Sequence, residues 1–337
     1  MIEQVLPNIF LIKIPLPENP LRILNSYLIK DPDRNLLIDT GFNLEACQVA
    51  MDKALFDLGV SMKETDLFIT HLHTDHSGLV QHLFRPGDTV WMGKDDALVF
   101  EANMRENVFI NTAGQLLQRS GLLLDGAPNC PQEEATAKYA DRACVPITVV
   151  LDGDILSKGG YTWRAVATPG HTAGHMCLYE AEHKILIAGD HILDKITPNI
   201  GLWSFQYDPL GQYLPSLDKI AALDVELVLP GHRNLITDMR GRIREIKEHH
   251  GRRLQDVLQA LGEDKKTTVQ VARRIPWDLS YKHWDEFPLN QKMHACAEAL
   301  AHLYHLVVRG QLIMSEEEGV LYFQAAPDGG VIQQAGE

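Results

Sequence analysis

Thr70-His71-Leu72-His73-Thr74-Asp75-His76 places three imidazoles and a carboxylate within six positions, directly after the apolar run Leu67 to Ile69. A short apolar run that ends in polar groups reads as a buried strand delivering those groups to the loop at its tip. Imidazole with carboxylate and without thiolate suits zinc, iron or manganese, whereas calcium and magnesium prefer shells of oxygen. The heptapeptide therefore predicts a metal-collecting strand end.

Three further stretches repeat that context. Thr168-Pro-Gly-His171-Thr-Ala-Gly-His175 follows a strand-like run, Thr162 to Ala167. Gly189-Asp190 follows Ile185 to Ala188, and Pro230-Gly-His232 follows Leu227 to Leu229. Glycine beside each candidate lets the backbone turn tightly and come close to an ion. Two segments also echo each other. Leu36-Leu-Ile-Asp-Thr-Gly41 precedes Asp66-Leu-Phe-Ile-Thr-His71, and Ile185-Leu-Ile-Ala-Gly-Asp190 precedes Glu226-Leu-Val-Leu-Pro-Gly-His232. A duplicated β-unit would bring all four acidic or imidazole endings to one rim.

Further strand-like runs are Ile9 to Ile14, Ser26 to Ile29, Thr89 to Met92 and Met176 to Glu180. Amphipathic spacing predicts helices over Asn43 to Leu58 and Gln212 to Ala222. Mixed strands and helices imply a layered α/β sandwich. From about residue 94 to 150 the pattern turns helical and loop-like, as in an insertion over the rim that would serve as a lid or a surface excursion. Beyond Asp238 come helices over Met239 to Leu261, Thr267 to Arg274 and Leu289 to Val308, then strand-like Gln311 to Met314 and Gly319 to Gln324, with acidic residues 316 to 318 at the turn. Three helices and a two-stranded ribbon follow a winged-helix-like order.

The 337 residues carry 31 Lys plus Arg against 45 Asp plus Glu, for a formal net charge of -14. With 45% hydrophobic and 23% charged residues, the composition is globular and excludes disordered and fibrous classes. The acid excess argues against the whole molecule clinging to phosphate backbones. It is uneven: residues 1–238 hold 18 basic and 31 acidic side chains, residues 239–310 hold 13 and 9, and residues 311–337 hold none and 5. Cys47, Cys130, Cys144, Cys177 and Cys296 are odd in number and contain no CxxC pair, as expected of reduced structural thiols. No basic leader and no apolar run near the roughly 18 residues of a membrane span is present, so the expectation is a soluble cytoplasmic protein with no membrane partner.

These ordered motifs resemble the metallo-β-lactamase superfamily, with its HxHxDH signature followed by single His, Asp and His ligands; the resemblance covers about residues 1–238. It implies a four-layer αββα sandwich as a catalytic domain over residues 1–238, and the helices and ribbon beyond it are expected to form a mainly helical, winged-helix-like domain over residues 239–337. It also implies two divalent ions, with zinc favoured over iron or manganese. His71, His73 and His171 resemble the ligands of the first metal, Asp75, His76 and His232 those of the second, and Asp190 the bridge. Asp39 looks like the aspartate that orients a ligand imidazole. The implied activity is that of a dinuclear metal-dependent hydrolase using a metal-bound hydroxide, with Asp75 and Asp190 in catalytic roles. His175 and His191 adjoin the motifs and are expected to hydrogen-bond near the site, while the other histidines are expected at the surface or in packing.

Departures from better-defined branches narrow the substrate. The main zinc β-lactamases carry a cysteine ligand where Asp190 falls, and glyoxalase II has a carboxy-terminal basic glutathione-binding segment that finds no counterpart here. Acyl-homoserine lactonases place a tyrosine shortly after the bridging aspartate, absent from Asp190-His-Ile-Leu-Asp-Lys195, and flavodiiron proteins put glutamate where His73 stands. The chain most resembles lactamase-like proteins with a winged-helix tail, which include thioesterases and a single-strand endoribonuclease; Asn25-Ser-Tyr-Leu-Ile29 and Asp190-His-Ile-Leu193 follow that pattern. A small-molecule ester or thioester is the expected substrate. RNA is the alternative, read from Arg252, Arg253, Lys265, Lys266, Arg273 and Arg274 with the aromatics Trp277, Tyr281, Trp284 and Phe287. A further alternative is a non-catalytic metal module whose tail binds DNA or protein, and homo-oligomerisation is left open.

Overall fold

Alternation along the apolar runs sorts their side chains onto two sheet faces. In the computed structural model, which describes residues 1–106, 108–126, 145–278, 281 and 283–327, those runs build two sheets. The first contains β1 (Ile2–Leu6), β2 (Ile9–Pro15), β3 (Ile23–Ile29), β4 (Asn35–Ile38), β5 (Thr65–Ile69), β6 (Val90–Gly93) and β7 (Thr148–Val150), in sequence order. Its pairings are antiparallel from β1 to β4 and parallel from β4 to β7. The second contains β8 (Ile155–Lys158), β9 (Tyr161–Ala167), β10 (Met176–Glu180), β11 (Ile185–Gly189) and β12 (Leu227–Pro230), in the order β12-β11-β10-β9-β8. Only β11 and β12 run parallel there.

Leu11, Tyr27, Ile29, Leu36, Ile38 and Phe68 of the first sheet share one core with Trp163, Ala165, Met176, Leu178, Ile185 and Ile187 of the second. The alternate side chains Ile12, Leu28, Leu37, Leu67 and Ile69 face outward and pack with Cys47, Met51, Ala54 and Leu55 of the helix Glu45–Asp57. On the second sheet's side, the helix Pro209–Ala221 is tied to the end of β9: Ser216 Oγ donates to the Pro169 carbonyl at 2.8 Å and Lys219 Nζ to that of Ala167 at 3.0 Å. The result is a mixed α/β sandwich of two sheets flanked by helices. The echoing segments are its parallel pairs, β4 with β5 and β11 with β12. Parallel neighbours end on the same side of their sheet, which sends Asp39 and His71 to one end of the first sheet and Asp190 and His232 to one end of the second.

Contacts divide the chain into two compact units. One comprises Met1–Phe109, Gln132–Pro198 and Pro215–Arg244, and the other Ile110–Pro131, Asn199–Leu214 and Glu245–Glu337. Segments 110–131 and 199–214 join the second because Leu116, Leu117, Leu122 and Leu202 enter its apolar core. That unit also holds most of the helix Met239–Leu261, the helix Thr268–Ala272 with its Thr267–Gln270 capping box, and the helix Leu289–Val308. β13 (Lys266–Thr267), β14 (Leu312–Glu317) and β15 (Val320–Ala325) form a three-stranded sheet in the order β13-β15-β14. Glu318 and Gly319, at φ 50 and 79, turn the β14–β15 hairpin. Of the expected insertion, Lys94–Glu106 and Val108–Arg119 are helical, while residues 127–144, with Cys130 and Cys144, lie outside the described residues. Cys47, Cys177 and Cys296 are buried free thiols. No described helix is long and apolar enough to cross a membrane.

Candidate metal centre

Five strand ends deliver the site. β5 leads to His71 and, through the short helix Thr74–Ser77 with His73 at its N-cap, to Asp75 and His76. β9 leads to His171, β11 to Asp190, β12 to His232, and β4 to Asp39. Three overlapping groups of ligand atoms result: His71 with His73 and His171, His71 with His76 and Asp190, and Asp75 with His76 and His232, each within 4.8 Å. Asp190 is common ground. Its carboxylate oxygens lie 3.4 Å from His76 Nε2, 3.8 Å from His171 Nε2 and 3.6 Å from His232 Nε2, and Asp75 Oδ2 lies 3.3 Å from His232 Nε2. All seven sequence-predicted candidates converge.

Hydrogen bonds behind the imidazoles decide which nitrogen faces the cluster. Asp39 Oδ1 accepts from the Thr70 backbone N–H at 2.8 Å, and Oδ2 accepts from the Thr70 hydroxyl at 2.8 Å and from His76 Nδ1 at 2.7 Å. With its proton committed to Asp39, the Thr70 hydroxyl accepts from His71 Nδ1 at 3.1 Å. His232 Nδ1 donates to the Ile23 carbonyl at 2.7 Å. Each of these rings thus turns Nε2 inward. His73 turns the other way, its Nδ1 lying 3.0 Å from His71 Nε2.

Whether a cation fits is answered by the buried atoms left over. His76 Nε2, His232 Nε2 and Asp190 Oδ1 are buried with no hydrogen-bond partner among the described residues. Buried polar atoms of that kind cost free energy unless paired. They point at one another, as ligands around a cation do. Gly231 keeps the space open, since a Cβ there would lie 2.6 Å from Asp190 Oδ1 and 2.8 Å from His76 Cε1.

The NSYLI stretch of β3 is the clamp on this edge. Ser26 Oγ donates to the Asp39 carbonyl at 2.7 Å, and Asn25 Nδ2 and the Tyr27 hydroxyl donate to the Pro230 carbonyl at 3.1 and 2.8 Å. His175 takes the role expected of it: its Nε2 accepts from the Asp190 backbone N–H at 3.2 Å while Nδ1 bonds the Thr168 hydroxyl at 2.8 Å. His191 is fully buried. One residue has no sequence signal. Asp96, fully buried in the first turn of the helix Lys94–Glu106, is pushed up to about 6 by burial, against three hydrogen bonds that pull it down.

Charge follows the same plan. Burial and the neighbouring imidazoles hold His71 well below its ordinary range, and burial takes His73 down to about 3, so both are neutral. Burial pulls His76 down too, but the carboxylates of Asp190, Asp39 and Asp75 outweigh it and raise His76 well above the ordinary imidazole value. Burial would raise Asp75 and Asp190, yet the facing histidines hold both low and ionised. In the metal-free chain His76 therefore carries a proton at neutral pH that a cation must displace, while His71 and His73 have none to lose. Zinc titrated into metal-free protein at pH 7 is expected to release protons, with an apparent affinity that rises with pH through the neutral range. Calorimetry in buffers of different ionisation enthalpy reads this directly, and heats independent of buffer would contradict it.

Two facing sheets gather imidazoles and carboxylates at their strand ends, in groups that could hold divalent metal ions. The profile of the metallo-beta-lactamase superfamily matches residues 20–232, and the chain belongs to that family. A metallo-beta-lactamase family protein from Thermus thermophilus superposes with a TM-score of 0.81 at 29% identity, over 96% of this chain and 100% of that one. The lactamase-like protein aptB of Emericella nidulans is 26% identical over 246 residues, covering 72% of this chain and 61% of that protein. An atrochrysone carboxyl ACP thioesterase of Aspergillus fumigatus is 27% identical over 237 residues, covering 70% and 59%. The chain thus spans about three fifths of the length of these fungal relatives.

Proposed function

We propose that this chain is a dinuclear metal-dependent hydrolase that acts on a small-molecule ester or thioester. The observation that carries the reading is the placement of Asp190 between two ligand groups, within 3.8 Å of imidazole nitrogens from both. His71, His73 and His171 would hold one divalent ion, Asp75, His76 and His232 the other, and Asp190 would bridge them. Zinc fits this donor set, and iron or manganese suits it as well. When bound, such a pair supplies water acidified toward neutrality and a Lewis acid for the substrate oxygen. Asp39 and the Ile23 carbonyl fix the ring orientations of His76 and His232. Asp75, kept ionised, would hold the attacking water or shuttle its proton.

Support for an acyl substrate comes from the relatives named as thioesterases and from the second unit. Four of its six candidate nucleic-acid cations are paired within the unit, while Arg252 and Arg274 are exposed. Arg253 is buried at 3.2 Å from Glu298 and lies over the Trp277 ring, Lys265 pairs with Glu317, buried Lys266 pairs with Asp264, and Arg273 pairs with Asp125 and Asp285. Trp284 and Phe287 belong to the apolar core, and Trp277 packs against it. The order of helices and ribbon supports a winged-helix-like reading of residues 239–337. The nearly all-round burial of Leu289–Val308 beyond Ala295 disfavours its use in a nucleic-acid groove. The buried free thiols accord with a reducing, cytoplasmic setting.

The test offers metal-loaded protein acyl thioesters, lactones, bis-aryl phosphodiesters and single-stranded RNA in parallel. Thioester or ester turnover is expected to exceed the others. Selective RNA cleavage with steep salt dependence would overturn the acyl reading.

A further inference from the structure

The three imidazoles of one ligand group come from two loops far apart in sequence, one carrying His71 and His73 and the other His171. A single side chain outside the ligand set ties them together. Asp96 Oδ2 accepts from the Leu72 backbone N–H at 2.9 Å and from the Thr172 hydroxyl at 2.6 Å, and Oδ1 accepts from the Gly174 backbone N–H at 2.7 Å. Leu72 stands between His71 and His73, and Thr172 follows His171. The carboxylate is fully buried, and its three donors occupy both oxygens.

Packing leaves this bridge no slack. A Cβ on Gly174 would overlap the Asp96 backbone nitrogen and approach its Cβ to 2.8 Å, and a Cβ on Gly93 would overlap the Gly174 carbonyl oxygen. The end of β6, the first turn of the helix Lys94–Glu106 and the His171 loop are therefore in direct backbone contact. His71, His73 and His171 form the one ligand group drawn wholly from the two bridged loops, whereas His76 and His232 of the other group are oriented by Asp39 and the Ile23 carbonyl.

We propose that Asp96 is a positioning residue that sets the spacing of the His71–His73 loop against the His171 loop, and so selectively tunes the three-imidazole ligand group. The proposal rests on the dinuclear reading above. Asn in place of Asp keeps one acceptor oxygen but turns an amide donor toward a backbone N–H or the Thr172 hydroxyl, so one tie must break. Ligand-orienting contacts of this kind change metal affinity by about 10–100-fold.

The experiment isolates each ligand group in the full-length chain. In a His232→Ala background the three-imidazole group is complete, and in a His73→Ala background the Asp75–His76–His232 group is complete. Zinc is titrated into each metal-free protein against a competing chelator, with and without Asp96→Asn. The expected result is an affinity lower by about 10–100-fold in the first background and unchanged in the second. A general loss of packing would weaken both. Thr172→Val, which removes one tie and leaves the carboxylate in place, is the second variant and is expected to give a smaller loss in the first background only. Should Asp96→Asn not fold, Thr172→Val decides alone. Equal effects in both backgrounds, or none in either, overturn the proposal while two zinc-binding steps in the wild-type chain leave the dinuclear reading standing. A wild-type chain that binds no zinc contradicts both.

Discussion

Replacing Asp190 by alanine is expected to lower kcat/KM on any true substrate by more than about a thousandfold, equivalent to about 4 kcal/mol of transition-state stabilisation. The size follows from position. The Asp190 carboxylate reaches His76, His171 and His232 at 3.4 to 3.8 Å, and among the described residues no other acidic side chain in the site faces both ligand groups at such distances. Its loss would separate the two groups and remove the largest of the three carboxylate charges that raise His76 in the metal-free chain. Folding should survive, because Asp190 sits beyond the end of β11 and contributes no apolar packing to the sheet core. Circular dichroism and denaturant unfolding check the fold, and steady-state kinetics checks the loss. Activity within tenfold of wild type would contradict the bridging role.

The second large effect belongs to Asp39. It is a non-glycine residue with φ at 57, a left-handed conformation that Asp and Asn tolerate better than most side chains. Its oxygens receive three donors, from the Thr70 backbone, the Thr70 hydroxyl and His76. Asp39→Ala strands the buried Thr70 N–H, at a cost of about 1–3 kcal/mol in stability, and frees the His76 ring. Asp39→Asn separates these effects. The Asn oxygen can keep the Thr70 backbone bond, but its amide would then face His76 Nδ1–H and the Thr70 hydroxyl as a third donor. Both variants are expected to lose about 10–100-fold in metal affinity, with the alanine variant alone losing most of the stability. Chelator competition and thermal unfolding measure the two quantities separately, and unchanged affinity in both variants would contradict the orienting role.

The legible parts of the site are those where one local pattern carries both strand and ligand. Leu67 to Ile69 announce a buried strand and His71 to His76 announce its cargo within ten residues. The echo between Leu36–Gly41 and Ile185–Asp190 was readable because parallel pairs need near-continuous apolar runs, and these became β4 and β11. Short edge strands left weaker traces. β1 breaks the alternation with two consecutive exposed residues, Glu3 and Gln4, and β7 spans only Thr148–Val150. Asp96 was illegible for another reason. In Lys94-Asp95-Asp96 it looks like Asp95, an acid at a helix N-terminus, and its three partners lie 24 to 78 residues away. The basic residues of the second unit show the same limit: charge is visible in sequence, but the pairing of Arg253 with the distant Glu298 is not.

Those long-range ties matter because the site is assembled from five strand ends, none of which holds a complete ligand set. Its central claim is that this assembly binds two divalent ions. Metal analysis of the purified full-length chain, reconstituted with zinc and freed of excess, tests that claim most directly. Close to two ions per chain are expected, falling to one when His232 is replaced by alanine; one ion or fewer per wild-type chain would contradict the dinuclear account.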